Sequence, residues 1–224
     1  MRLIASGCSL TYGHGLQDCF IPPVNPGKVA SKLAWPFTTA KLLDRECINV
    51  SRPGGSNANI IKSILEIDLK KTDIVTILWS FTTRDLEYKH NSTEHYGEWD
   101  EDYIKTKLKY SNAFDIQVRS LLSIFNFTKY LETQQVQIHY QFVDPILTFD
   151  QQTIHTSLLD KLIKGISKYD HTVRTFDEVQ KQLYKKRNGI DYALDKSHPN
   201  EIWHEALGTL IYNTLTAKTN NNLI

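Results

Sequence analysis

The segment Ile74-Val75-Thr76-Ile77-Leu78-Trp79 is apolar at nearly every position rather than at every second one. In an extended chain successive side chains point to opposite faces, so such a strand is stable only when both faces are covered. That demand selects a sheet buried between two layers of helices. Further apolar runs of strand length stand at Leu3–Ser6, Cys47–Val50 and Val136–Val143. Between them, Asn57–Leu69 places Ile60, Ile61, Ile64, Leu65 and Ile67 on one helical stripe. Helical spacing also marks Ser31–Leu43, Asp102–Leu131, His155–Lys168 and Asn200–Leu215, of which Asp102–Leu131 is too long to run without a break. Strands alternating with helices imply βαβ crossovers, hence an α/β fold with a mostly parallel sheet of about five strands. Residues 83–115 open with charged and aromatic side chains of no clear period and are expected to form an insertion over one end of the sheet.

A chain of 224 residues with 41% hydrophobic side chains is large enough for one well-cored domain and too apolar for a disordered one. Its 26 basic and 25 acidic residues leave a net charge of +1, which exerts no overall pull on nucleic acid or acidic membranes. No apolar run approaches the roughly 18 residues that a spanning helix needs. Cys8, Cys19 and Cys47 form neither a disulfide framework nor a zinc ribbon. The opening Met1-Arg2-Leu3-Ile4-Ala5-Ser6-Gly7 holds too short an apolar run for a secretory signal, and a cytoplasmic location is the expectation.

Ligands of such folds gather at the carboxyl ends of the strands, which directs attention to three loops. Gly7-Cys8-Ser9-Leu10-Thr11 follows the first strand and can present the Ser9 hydroxyl at the sheet edge; read alone it is also an ordinary polar turn. Pro53-Gly54-Gly55-Ser56-Asn57 precedes a helix, where exposed N–H groups favour a bound anion or a developing oxyanion. The same residues serve equally as a turn with a Ser56 or Asn57 cap. Asp195-Lys196-Ser197-His198-Pro199-Asn200 offers His198 as a general base held by Asp195, or else a helix start with Ser197 as cap.

Taken together and in this order, the three blocks resemble those of the SGNH hydrolases, the GDSL-type esterases and lipases. Cys8 stands where an Asp is often found in the nucleophile block, His204 follows His198 at a familiar spacing, and Trp35-Pro36 opens a helix as in small members. The resemblance implies a flavodoxin-like three-layer sandwich and hydrolysis of an oxygen ester through an acyl-enzyme. It assigns Ser9 as nucleophile, His198 as base and Asp195 as its orienting acid. The N–H groups of Ser9 and Gly54 are implied oxyanion donors, with Asn57 as a side-chain donor. No cofactor or metal is required, and the implied substrate is a small O-acyl ester, such as an O-acetyl carbohydrate.

One block departs. Where the family places Gly-x-Asn-Asp after its third strand, this chain reads Trp79-Ser80-Phe81-Thr82-Thr83-Arg84-Asp85. Asn57, Thr83 or Arg84 is left to supply the missing donor, and Arg84 also suits an anionic substrate; Arg84 and Trp35 are the candidate substrate-binding residues. Two other readings stay open: an SGNH fold kept for binding or structure with little catalysis, and a different flavodoxin-like module that binds phosphate at the Gly54 turn. Cys8 beside Ser9 points elsewhere at a sharp turn and is not the expected nucleophile. His90, Glu94, His95 and Glu98 match no zinc spacing.

Overall fold

A computed structural model describes residues 1–22, 27–82, 84–89, 92–96, 113–143, 156–169 and 192–221. The elements run β1 (Arg2–Ser6), α1 (Ser9–Tyr12), α2 (Trp35–Leu42), β2 (Glu46–Asn49), α3 (Asn57–Leu65), β3 (Ile74–Trp79), β4 (Asp85–Lys89), β5 (Ser92–Tyr96), α4 (Ala113–Gln134), β6 (Gln137–Phe142), α5 (Thr156–Ser167) and α6 (Glu201–Asn221). The main sheet is parallel in the order β2-β1-β3-β6. Among the described residues it has four strands against the expected five or so.

Strand alternation divides the core into the two layers that the apolar β3 demands. Ile4, Val75, Ile77 and Trp79 pack with Ile60, Ile64, Leu121, Ile124 and Leu162 from α3, α4 and α5. Leu3, Ala5, Ile74 and Leu78 point the other way, onto Trp35 and Ala40 of α2 and Trp203, Leu207 and Ile211 of α6. The chain leaves β1 toward β2 on one side and returns to β3 on the other, so the loops after β1 and β3 meet at a topological switch point.

Element ends depart from the periodicity for identifiable reasons. Helix α2 begins at Trp35 rather than Ser31, because the Ser31 hydroxyl is engaged by Asp18 and Pro36 suits a first turn. Helix α3 stops at Leu65 rather than Leu69: Arg2 Nη2 takes the Asp68 carbonyl at 2.7 Å and Asp73 takes the Lys70 N–H at 2.8 Å. Helix α6 is capped by Asn200, whose Oδ1 accepts the Trp203 N–H at 3.2 Å, so Ser197 is not its cap. Within residues 83–115, β4 and β5 form an antiparallel ribbon separate from the main sheet, with Leu86 opposite His95 and Glu87 opposite Glu94. Thr83, His90 and Glu98 lie outside the described residues. No helix among the described residues is long and apolar enough to cross a membrane.

Candidate active site

The loop from β1 into α1 is shaped by what lies beneath it. A Cβ on Gly7 would meet Thr11 Oγ1 at 2.0 Å, so only glycine lets α1 start this close to the strand. The short helix leaves Cys8 buried and Ser9 half-exposed, which gives solvent access to the hydroxyl and denies it to the thiol. Ser9 is the first residue of α1, where a backbone N–H has no partner within the helix. Asn49 Nδ2, at the end of β2, donates to the Thr11 carbonyl at 2.9 Å and ties α1 to the sheet edge.

The glycine turn after β2 docks on the same loop. Arg52 N donates to the Gly7 carbonyl at 3.2 Å, and Gly55 N to the Arg52 carbonyl at 3.1 Å. Gly54 has a φ of 71°. Ser56, not Asn57, caps α3 by accepting the Asn59 N–H.

The Asp195–His198 loop is a compact turn closed by a Tyr192–Pro199 bridge and by the Ala193 N–H on the His198 carbonyl at 2.9 Å. Its carboxylate is the hub. Asp195 Oδ1 accepts the backbone N–H groups of Ser197 at 3.1 Å and His198 at 3.0 Å; Oδ2 accepts the Ser197 hydroxyl at 3.0 Å and contacts His198 Nδ1 at 2.5 Å. Burial favours the neutral acid, but the His198 and Ser197 N–H groups and the His198 ring overcome it and hold the carboxyl down at about 2. Asp195 is therefore an anion, and a carboxylate at Nδ1 selects the His198 tautomer whose Nε2 is free to accept a proton.

A Gly13-His14-Gly15 turn joins the two loops, and sequence reasoning missed it. Gly13 and Gly15 have φ values of 79° and 89°, in the left-handed region that favours glycine. The His14 N–H donates to the Ser9 carbonyl at 3.1 Å, and the Gly15 carbonyl accepts the Leu194 N–H at 2.9 Å. A Cβ on Gly15 would meet Asp195 Oδ1 at 2.6 Å. The His14 ring stacks on His198, with centroids 4.6 Å apart and planes 29° apart. The only signal in the sequence is a histidine between two glycines, directly after the Ser9 block.

His14, Asp195 and His198 bring potential metal-ligand atoms within 4.8 Å of one another. Imidazole lone pairs lie in the ring plane, however, and two nearly parallel stacked rings do not aim them at a common point. Asp195 already serves four donors. The arrangement suits a held base better than a cation cage.

Three sequence expectations change here. Trp35 is fully buried between α2 and the core, and its backbone N–H donates to His204 Nδ1 at 3.3 Å; its indole cannot touch a substrate. Asn57 is buried with its amide committed: Nδ2 donates to the Ser80 carbonyl at 3.1 Å and to Ser120 Oγ at 2.9 Å, while Oδ1 accepts the Ser80 N–H at 2.8 Å. It latches α3 to the end of β3 instead of facing Ser9 with a spare donor. Arg84 folds back, with Nη1 3.1 Å from Ser80 Oγ and its guanidinium 4.4 Å over the Phe81 ring. His204 is fully buried in α6, and that burial, aided by nearby His198, depresses it to about 3.

No family model matches the chain, and no curated protein matches it in sequence. Solved structures do match. A carbohydrate esterase whose active site displays divergent catalytic and non-catalytic binding functions aligns with a TM-score of 0.57 at 13% identity, over 96% of this chain and 68% of the other. The acetyl xylan esterase Est2A from the rumen bacterium Butyrivibrio proteoclasticus aligns at 0.53 and 14% identity, over 98% and 64%. The psychrotrophic esterase EstA from Pseudoalteromonas sp., solved as inhibited by monoethylphosphonate, aligns at 0.50 and 13% identity, over 98% of both chains. The chain thus spans about two thirds of the length of the carbohydrate esterases and nearly all of EstA. Identities this low speak to architecture alone: this chain shares the α/β fold of these esterases, the fold that its resemblance to the SGNH hydrolases implied.

Proposed function

We propose that the protein is a serine ester hydrolase acting through an acyl-enzyme. The observation that carries this is the Asp195–His198 pair, held by an anionic carboxylate with four donors and packed through His14 and Gly15 against the Ser9 loop. Ser9 Oγ attacks the ester carbonyl as His198 Nε2 takes its proton. Collapse of the tetrahedral intermediate expels the alcohol, protonated by His198. Water then repeats the sequence on the acyl group and releases the acid and free Ser9. Asp195 keeps the tautomer and stabilises the imidazolium. The backbone N–H groups of Ser9 and Gly54 are the proposed oxyanion donors.

The favoured substrate is a small O-acyl ester, with an O-acetyl carbohydrate as first candidate. Its support is the likeness in fold to carbohydrate esterases, including an acetyl xylan esterase. Turnover of short acyl esters by the wild type and its absence in Ser9→Ala is the test. A fluorophosphonate probe adds a direct one, since it labels an activated serine and spares an idle one. The commitment of the Asn57 amide to Ser80 and Ser120 favours a second reading, an SGNH fold with weak catalysis or a binding role. Ser9 left unlabelled by the probe would select it.

A further inference from the structure

We propose that His14 is a positioning residue for His198, a role that rests on the esterase reading for its catalytic consequence but not for its structural one. The Asp195 contact grips His198 along one edge of the ring, the edge that runs from Cβ to Nδ1. A ring held only there still rocks about that edge, and rocking sweeps Nε2 through an arc. A second plane laid on the ring face removes this freedom. His14 supplies that plane at a centroid distance of 4.6 Å.

The backbone is built to deliver it. Gly13 and Gly15 each adopt a positive φ on either side of His14, and the Gly15 Cα faces the Asp195 carboxylate too closely for any side chain. The same His14 donates its N–H to the Ser9 carbonyl. One residue therefore fixes the backbone of the nucleophile loop and the face of the base, so that the two keep register. Misplacing reacting groups by about 1 Å can cost on the order of 100-fold in rate. A face contact of this kind depends on an aromatic plane and not on a titratable nitrogen, which distinguishes it from a metal ligand or a proton relay.

The test compares the wild type, His14→Ala and His14→Phe, with melting curves confirming that all three fold. Proton and relaxation NMR of the His198 ring reads the position directly. The wild type should show ring protons displaced by the neighbouring ring current and a rigid imidazole. His14→Ala should lose both, and His14→Phe should restore rigidity. In turnover, His14→Ala should lower kcat by roughly 10- to 100-fold with KM little changed, and His14→Phe should recover most of it. A His198 ring equally rigid in His14→Ala overturns the proposal whatever the rates. Failure of His14→Phe to restore either the rigidity or the rate, where His14→Ala has lost it, also overturns it. Loss of ring order in a protein whose wild type neither turns over esters nor reacts with fluorophosphonate would uphold the positioning role and refute the esterase reading.

Discussion

Asp195 and His198 are joined twice, by the His198 backbone N–H on Oδ1 at 3.0 Å and by Nδ1 on Oδ2 at 2.5 Å. The first contact fixes where the histidine leaves the chain, and the second fixes how its ring turns. A carboxylate that anchors backbone and ring together has little freedom to serve as a proton acceptor itself. It acts as a fixed negative pole.

This gives a first prediction at the pair. Asp195→Asn keeps the size of the side chain but reverses one of its atoms from acceptor to donor, which favours the wrong imidazole tautomer. Loss of kcat by about 10,000-fold, with the chain still folded, is expected by analogy with triad enzymes. Because the Asp195 carboxyl lies near 2 in the folded protein, below its ordinary value of 3.8, its stabilising contribution is complete above about pH 4 and is lost as pH falls toward 2. The gap in unfolding free energy between wild type and Asp195→Asn should therefore narrow as pH falls from about 4 and close as it passes through about 2.

A second prediction separates Ser9 from its neighbour. Ser9→Ala should abolish ester turnover and fluorophosphonate labelling while shifting the melting temperature by only a few degrees, since the side chain is half-exposed. Cys8→Ala removes a buried thiol and should cost some stability while retaining most activity. Equal turnover in Ser9→Ala and wild type refutes the nucleophile assignment.

The third concerns His204, buried and neutral, with its ring held down at about 3. Unfolding frees it to take up a proton near the ordinary 6.5, so its neutral burial is harmless above that value and increasingly costly as pH falls from 6.5 toward 3. His204→Asn removes this titration. Its deficit in unfolding free energy relative to wild type should shrink by about 2 kcal/mol between pH 7 and pH 5. Ester turnover per folded molecule should stay within a few-fold of wild type, whereas His198→Ala should lose most of it. A pH-independent gap would refute the neutral burial of His204, and an inactive His204→Asn would shift the base assignment.

Much of this architecture is legible in the sequence where the signal is local. The unbroken apolar run of β3 requires cover on both faces, and the apolar faces of helices on either side of it supply that cover. The Asp195–His198 contact joins residues three positions apart, so it shows in a few adjacent letters, as does the Ser9 block on which the proposed function rests. Trp35 misleads because residue type does not disclose which way a helix faces; its indole meets the core and not the sheet edge. His14 is illegible for a different reason. Its partner is 184 positions away along the chain, and only the meeting of two distant turns puts one imidazole on the other. Asn57 is the intermediate case, visible as a polar residue at a helix start but with its partner on another strand end.

That residue supplies the last prediction. Asn57 makes a two-way exchange with the Ser80 backbone, N–H to Oδ1 and Nδ2 to the carbonyl, and its remaining amide hydrogen goes to Ser120 Oγ. All of this is buried, so truncation leaves the Ser80 N–H and carbonyl without partners in a site that water does not reach easily. Asn57→Ala should therefore destabilise the protein by about 1–3 kcal/mol. It should also loosen the end of β3, where Ser80 holds Arg84. An amide so committed has no hydrogen left for an oxyanion, so kcat per folded molecule should change by less than about 10-fold, well short of the 100- to 1000-fold that loss of a true donor brings. Melting and turnover measured on this one variant separate the two roles. Full stability with a 100-fold fall in kcat would return Asn57 to the oxyanion site and show that its contacts with Ser80 and Ser120 yield to the substrate.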